Sequence, residues 1–219
     1  MLSGREAQED GKQTRGHGNA KTKNRDMRQA LRPFTRAPGG ASRLLRRPPG
    51  IHLNRSIVET MAYERILAFL REKGVPFKIH EHESVVTIRE AEQKAPALID
   101  GLLKTVAFRI KDSYWVLAAV RCRDRIDYRR LAAALGVNRR ELRSLSPEEV
   151  LRDLGYEVGG VGPVPPRAGV LTVFDAGLRG AKTVYFGSGK NTLTLEVEFD
   201  KLLAATGGRL CPIAHDPVA

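Results

Sequence analysis

The stretch from Leu103 to Val120 reads LKTVAFRI-KDS-YWVLAAV and predicts a β-hairpin. Two runs rich in β-branched, aromatic and other apolar residues flank a short polar turn, which is the pattern of two antiparallel strands. Side chains alternate between the faces of a strand, so Lys104 shares a face with Val106, Phe108 and Ile110. The hairpin therefore predicts a sheet at the centre of the fold, with one lysine turned toward the more apolar face.

Helical and extended patterns surround this hairpin. Apolar residues recur at helical spacing from Tyr63 to Leu70, and Thr87 and Ser146 each open a capping-box sequence. The predicted helices cover 62–73, 89–94, 127–135, 147–154 and 198–205, and the predicted strands cover 75–80, 103–110, 114–120, 170–174, 182–186 and 192–197. Helices lie between strand pairs without regular alternation, which predicts an α+β fold with a mixed or antiparallel sheet.

Charge divides the chain into two parts. The net charge is +12, of which residues 1–60 carry +8, with 13 Lys+Arg and five acidic residues. That segment is rich in Gly, Pro, Arg and Asn and lacks periodicity, so it predicts a disordered basic tail in front of a folded domain over residues 61–219. A second interpretation is that translation starts at Met61 and the upstream stretch is an extension of the gene model.

Several functional classes are disfavoured by composition. No apolar run approaches the roughly 20 residues that span a bilayer, and no signal-peptide core opens the sequence, so a cytoplasmic protein is expected. Cys122 and Cys211 are too few for a disulfide framework or a zinc site. His80 and His82 share a strand face, but no further ligands are spaced to complete a metal site. We therefore expect neither a metal nor a cofactor.

Lys104 is the most informative single residue. An ammonium group on an apolar face must find an anionic or carbonyl partner, or lower its pKa. The alternative is that Lys104 lies at the strand end and extends its ammonium group to water. Spacing alone does not decide between a functional and a structural lysine.

Two glycine-rich segments supply the second signal. The loop from Gly155 to Pro163 reads GYEVGGVGP, and the turn from Gly187 to Lys190 reads GSGK. Glycines let a backbone approach a ligand closely and aim successive N–H groups at an oxygen. Neither segment has the spacing of a phosphate-binding Walker loop. Each taken alone is also compatible with an ordinary turn.

Taken in order, four segments resemble the YbaK/EbsC family, which is similar to the editing domain of bacterial prolyl-tRNA synthetases. The segments are 80–87, 103–106, 155–163 and 187–197, and the likeness covers almost all of residues 62–219. The resemblance implies a compact α+β fold around a mixed, partly barrel-like sheet with flanking helices. It also implies hydrolysis of the ester between an amino acid and the terminal ribose of tRNA.

The resemblance further implies a set of site residues. Lys104 matches the signature lysine of the family, and the loop around Gly160 matches the glycine-rich wall that meets the aminoacyl carbonyl, so these two are the expected catalytic positions. The expected substrate-binding positions are Thr87, Thr105, Gly159, Val161, Gly162, Pro163, Gly187, Ser188 and Gly189. The implied partners are the acceptor end of aminoacyl-tRNA, with a small amino acid on tRNA-Pro or a similar tRNA, and an aminoacyl-tRNA synthetase.

Two departures from the family pattern leave the substrate open. Val164-Pro165-Pro166 replaces an aromatic-glycine pair, and Phe174-Asp175-Ala176 replaces a stretch that often carries Asn or a small hydroxyl residue. Both are expected to border the pocket. Two other functions remain as alternatives: an inactive module of the same fold that binds tRNA or a synthetase, and a general nucleic-acid-binding protein driven by the basic tail.

Overall fold

The computed structural model describes residues 55–215, so the predicted tail lies outside the described residues except for its last few positions. A helix that begins at Arg55 leads into eight strands and four further helices. The helices are α1 (Arg55–Glu72), α2 (Ile88–Lys94), α3 (Tyr128–Leu135), α4 (Pro147–Leu154) and α5 (Phe199–Thr206). The strands are β1 (Phe77–Glu81), β2 (Leu103–Ile110), β3 (Trp115–Arg121), β4 (Leu142–Ser144), β5 (Val170–Asp175), β6 (Thr183–Gly187), β7 (Leu193–Glu198) and β8 (Arg209–Cys211).

The strands form two sheets. One has three strands in the order β1-β7-β6, all antiparallel, and the other has five in the order β4-β2-β3-β5-β8. In the larger sheet the β2–β3 and β2–β4 pairs are antiparallel, whereas β3–β5 and β5–β8 are parallel. This arrangement confirms the predicted α+β class with a mixed sheet. The strands form two open sheets, not a closed barrel.

The predicted hairpin is the centre of the larger sheet, with Lys104 opposite Val120 and Arg109 opposite Trp115. Both of its faces are covered. Leu103 and Ala107 belong to one apolar core with α1, α4 and α5, while Phe108 and Ile110 belong to a second core with α3. The expected contrast between an apolar and a more polar face of β2 is therefore wrong, because helices pack on both sides of the sheet.

Helix ends follow the predicted local chemistry. Thr87 and Ser146 form complete capping boxes with Glu90 and Glu149, and the side chain of Asp127 accepts hydrogen bonds at the start of α3. Gly136 and Gly155 end α3 and α4 in the left-handed conformation that glycine tolerates. Strands β4 and β8, of three residues each, were not predicted from the sequence. In the described part of the chain no helix is long and apolar enough to cross a bilayer.

Asp175 ties the end of β5 to the chain that follows β8. One oxygen of its buried carboxylate accepts hydrogen bonds from the backbone N–H groups of Ile213 and Ala214, both at 2.8 Å. Its other oxygen accepts one from the N–H of Gly177 at 2.7 Å. This position is therefore structural. It does not line the cavity described below, so the expectation that 174–176 borders the pocket is wrong.

Asp175→Ala is expected to lower the free energy of unfolding by about 3 kcal/mol, because it leaves buried backbone donors without an acceptor. Urea unfolding followed by circular dichroism measures this change. Asp100→Ala, at an exposed position, is the matched control. An Asp175→Ala variant no less stable than the control would contradict the assignment.

Candidate functional site

One cavity of about 240 Å³ brings together six of the predicted site residues. It lies where the start of β2 meets the segment around α2, the ends of β6 and β7, and the loop before β5. The predicted residues that line it are Thr87, Lys104, Thr105, Gly159, Val161 and Gly187. A second cavity, of about 390 Å³, lies on the other side of Leu103 and contains none of the predicted residues. The six predicted residues therefore identify the first cavity as the candidate site.

Lys104 is half-buried at the wall of the first cavity. Its ammonium group donates a hydrogen bond to the backbone carbonyl of Asp124, in the turn after β3. Burial lowers the pKa of Lys104, and the neighbouring Cys122 and Asp124 partly oppose this shift. Instead of extending into water, the lysine is anchored by a carbonyl group, which leaves its remaining N–H bonds for a second acceptor.

Thr105 projects from the opposite face of β2 and lines the same cavity. Its Oγ1 is buried and finds no hydrogen-bond partner among the described residues. Strand β4 pairs with β2 only from Phe108 to Ile110, so the edge of β2 next to Thr105 has no strand ladder. The cavity therefore wraps around an open strand edge, with Lys104 on one side and an unpaired hydroxyl on the other.

The two glycine segments pack against each other. A Cβ atom added at Gly160 would lie 2.8 Å from the carbonyl carbon of Gly189. One added at Gly162 would meet the carbonyl oxygen of Gly187, and one added at Gly187 would meet that of Gly160. The N–H of Gly189 donates to the carbonyl of Gly160 at 2.8 Å. Glycine is thus required at these positions because two backbones approach each other, and side chains would separate them.

This packing corrects the role expected for Gly160. Its N–H already donates to the carbonyl of Glu157 at 3.0 Å, and the residue is buried outside the cavity lining. It therefore does not offer a free donor to a developing oxyanion. Of the same loop, Gly159 and Val161 line the cavity.

The other predicted loop residues lie behind the cavity wall. Gly162, Pro163, Ser188 and Gly189 are buried but do not line the cavity. Thr172 donates a hydrogen bond to the carbonyl of Pro163 at 2.8 Å, which joins the loop to β5. The segment 164–166 does not line the cavity either, so the expectation that it borders the pocket is wrong. These residues hold the wall in place and do not touch the cavity.

Sequence reasoning missed four polar residues of the cavity, which are His82, Lys190, Asn191 and Thr194. His82 Nε2 lies 2.9 Å from Thr194 Oγ1, and His82 Nδ1 lies 2.7 Å from the carbonyl oxygen of Glu83. Thr194 is buried and lies opposite Gly187 in the β6–β7 pair and opposite His80 in the β1–β7 pair. In the sequence, His82 stood out only for sharing a face with His80, and Thr194 looked like an ordinary strand threonine.

Charges at the site are mainly positive. Lys190 lines the cavity, and its ammonium group lies 4.7 Å from the ring centroid of Tyr63, a cation–π contact. Cys122 is buried near Lys104, and burial raises the pKa of its thiol, as expected for a core cysteine and not a nucleophile. Within residues 55–215, no three His, Cys, Asp or Glu side chains lie close enough together to bind a metal ion.

The family comparison agrees with this geometry. Residues 82–205 match the model of the aminoacyl-tRNA editing domain. The match covers more than half of the chain and includes the cavity, so the protein belongs to the aminoacyl-tRNA editing domain family. It is also 28% identical over 145 residues to a proline–tRNA ligase of Thermosipho melanesiensis, a match that spans 62% of this chain but only 25% of the ligase.

Solved structures share the same fold. A candidate trans-editing enzyme for prolyl-tRNA synthetase is 25% identical, with a TM-score of 0.61, and the match covers 71% of this chain and 98% of that one. A hypothetical protein is 22% identical, with a TM-score of 0.62, over 69% of this chain and 99% of the other. Both matched chains are covered almost completely by this single domain.

Proposed function

We propose that this protein is a trans-acting hydrolase that deacylates mischarged aminoacyl-tRNA. Its substrate is a small amino acid esterified to tRNA-Pro or a similar tRNA. The observation that carries the proposal is one small cavity in which a half-buried, carbonyl-anchored Lys104 faces a glycine-buttressed wall, within a domain of the editing family.

An aminoacyl ester is activated, so the reaction requires positioning more than a protein nucleophile. Lys104 binds the carbonyl oxygen or the terminal phosphate with its remaining N–H bonds and holds the ester in a fixed orientation toward water. The loop donors that can stabilise the developing oxyanion are the backbone N–H groups of Gly159 and Val161, the two loop residues that line the cavity. The free hydroxyl of the terminal ribose orients the attacking water.

The size of the cavity supports a small acyl group. At about 240 Å³ it lies below the range typical of drug-sized ligand sites, and its apolar lining includes Ile88, Ala91 and Leu98. Such a pocket excludes large side chains by volume. Among small side chains it gains only about 1–3 kcal/mol of discrimination per methylene group.

A deacylation panel tests the proposal. The protein is incubated with tRNA-Pro charged with alanine, serine, cysteine or proline, and with tRNA-Ala charged with alanine, and loss of the ester is followed over time. We expect hydrolysis well above the spontaneous rate for at least one small, non-cognate amino acid. Rates equal to spontaneous hydrolysis for every substrate would contradict the proposal.

A second candidate is a module that binds tRNA or a synthetase through the same fold without catalysis. The desolvation of Lys104 argues for the enzyme, because burying an ammonium group is costly and simple binding does not require it. The panel also separates these two functions. The binding module would retain aminoacyl-tRNA on a filter without shortening the lifetime of the ester.

A further inference from the structure

The cavity has a polar corner that the proposed hydrolysis does not use. Thr194 is 7% exposed and lies on β7, in the smaller sheet, whereas Lys104 lies on β2, in the larger one. Both line the same cavity, together with His82. The corner therefore faces the same cavity as Lys104 but from a different sheet.

Hydrogen bonds fix the direction of the Thr194 hydroxyl. The carbonyl oxygen of Glu83 can only accept, so the contact at 2.7 Å assigns the proton of the imidazole to His82 Nδ1. In the neutral ring, Nε2 is then an acceptor, and it takes the Thr194 hydroxyl proton across 2.9 Å. The hydroxyl thus donates to His82, and the lone pairs of Thr194 Oγ1 are left as acceptors at the cavity.

Strand pairing leaves one side of Thr194 without a neighbouring side chain, whereas His80 lies opposite it on β1. The residue opposite Thr194 on β6 is Gly187, which has no side chain to cover the hydroxyl. Glycine is required at position 187 because a Cβ atom there would collide with the carbonyl group of Gly160. The packing of the glycine segments therefore also keeps a side chain away from the β6 side of Thr194.

We propose that Thr194, oriented by His82, recognises the α-ammonium group of the aminoacyl ester. This inference rests on the proposed function and adds a specificity-determining residue to it, one that distinguishes esters of α-amino acids from esters of α-hydroxy acids. A charge-assisted hydrogen bond from the ammonium to Thr194 Oγ1 is about twice as strong as one between neutral groups. Thr194 contacts the substrate directly, and His82 acts through Thr194 as a positioning residue.

The remaining polar groups of the cavity fit the assignment of the α-ammonium group to Thr194. Lys104 supplies donors, which suit the carbonyl oxygen of the ester and repel an ammonium group placed beside it. Thr105 Oγ1, buried without a partner in the described structure, gains one when a polar substrate group enters. An α-amino ester has a carbonyl oxygen that accepts hydrogen bonds and a cationic nitrogen that donates them, so it matches a pocket with donors on β2 and an acceptor on β7.

Paired substrates test the inference. Alanyl-tRNA and lactyl-tRNA differ only in carrying an α-ammonium or an α-hydroxyl group, and their hydrolysis is measured as kcat/KM relative to the spontaneous rate of each ester. We expect the wild-type protein to prefer alanyl-tRNA by at least about tenfold, the effect of one hydrogen bond to a charged group. Thr194→Val, which preserves shape, is expected to reduce this preference to nearly one.

His82 variants separate positioning from simple packing. His82→Gln can place an amide oxygen where Nε2 lies and is expected to keep most of the preference for alanyl-tRNA. His82→Leu removes the acceptor and frees the Thr194 hydroxyl to rotate, so the preference is expected to fall. A purely structural histidine would lower the rates on both esters equally in both variants, and that result would overturn its positioning role.

A binding measurement distinguishes failure of this inference from failure of the proposed function. Non-hydrolysable 3′-amide analogues of alanyl- and lactyl-adenosine are titrated into the wild-type protein and into Thr194→Val by calorimetry. Tighter binding of the alanyl analogue that Thr194→Val abolishes supports the inference even if no ester is hydrolysed. Hydrolysis of both esters with no preference for alanyl-tRNA, or a preference unchanged in Thr194→Val, overturns it while the deacylase function stands.

Discussion

Lys104→Met is expected to lower the deacylation rate at least about 100-fold. Methionine keeps most of the length and volume of the lysine stem but removes every donor. Loss of one preorganised donor at a developing oxyanion costs about 100- to 1000-fold in rate. The measurement is single-turnover hydrolysis of the best substrate from the aminoacyl-tRNA panel, so that binding and chemistry are separated.

The same substitution is expected to leave the protein at least as stable as the wild type at neutral pH. Because burial lowers the pKa of Lys104 in the folded state, the unfolded state binds that proton more tightly. The free-energy penalty of burying the charged lysine is fully present below both pKa values and disappears as the pH rises through them. Methionine removes the penalty, although it also gives up the hydrogen bond to the Asp124 carbonyl.

Lys111→Met is the matched control, since Lys111 is an exposed lysine at the turn of the same hairpin. Its deacylation rate is expected to equal that of the wild type. A Lys104→Met protein that is folded and retains wild-type activity on every substrate would show that the lysine does not take part in the reaction.

Gly162→Ala is expected to disrupt the site, although Gly162 itself does not line the cavity. The added methyl group would collide with the carbonyl oxygen of Gly187, a backbone atom that cannot move without displacing β6. Overpacking of this kind costs roughly 1–3 kcal/mol in the free energy of unfolding. Gly187 and Val161 line the cavity, so the collision also displaces the site. We therefore expect the deacylation rate to fall at least about tenfold, because small displacements from a productive geometry slow the reaction.

Gly180→Ala provides the control for a glycine outside the site. At Gly180 a Cβ atom would meet nothing within 4 Å, and only its positive φ of 79° penalises alanine. This variant is expected to lose stability by about 1 kcal/mol and to keep its deacylation rate. Equal losses of activity in both variants would indicate a general loss of folding. A Gly162→Ala protein with unchanged activity would contradict the proposal that the glycine segments hold the cavity wall in place.

Local sequence signals predicted most of the secondary structure. The hairpin from Leu103 to Val120 and the helix starts at Thr87 and Ser146 depend on turn residues, alternation and capping, which act over a few neighbouring positions. Strands β4 and β8 were not predicted because three residues carry too little pattern. Their strand conformation depends on pairing with distant β2 and β5.

The cavity contains only part of the set of residues that the sequence predicts for the site. Lys104 and Thr105 were expected at the pocket and line it, whereas Gly160 was expected to face the substrate and faces another backbone. A glycine-rich sequence shows that something approaches closely, but it does not show whether that is a ligand or a second loop. Only the packing of the two segments distinguishes these possibilities.

The sequence by itself determined the hairpin, its lysine and the two glycine segments, because each depends on contacts between near neighbours. Tertiary structure alone decided that both faces of β2 are buried, that Lys104 is anchored to Asp124, and that His82 and Thr194 meet at the cavity. The last pair lies 112 positions apart in the chain. Such a contact forms only when the β1–β7 pairing brings two polar side chains to one face, and no local pattern encodes that register.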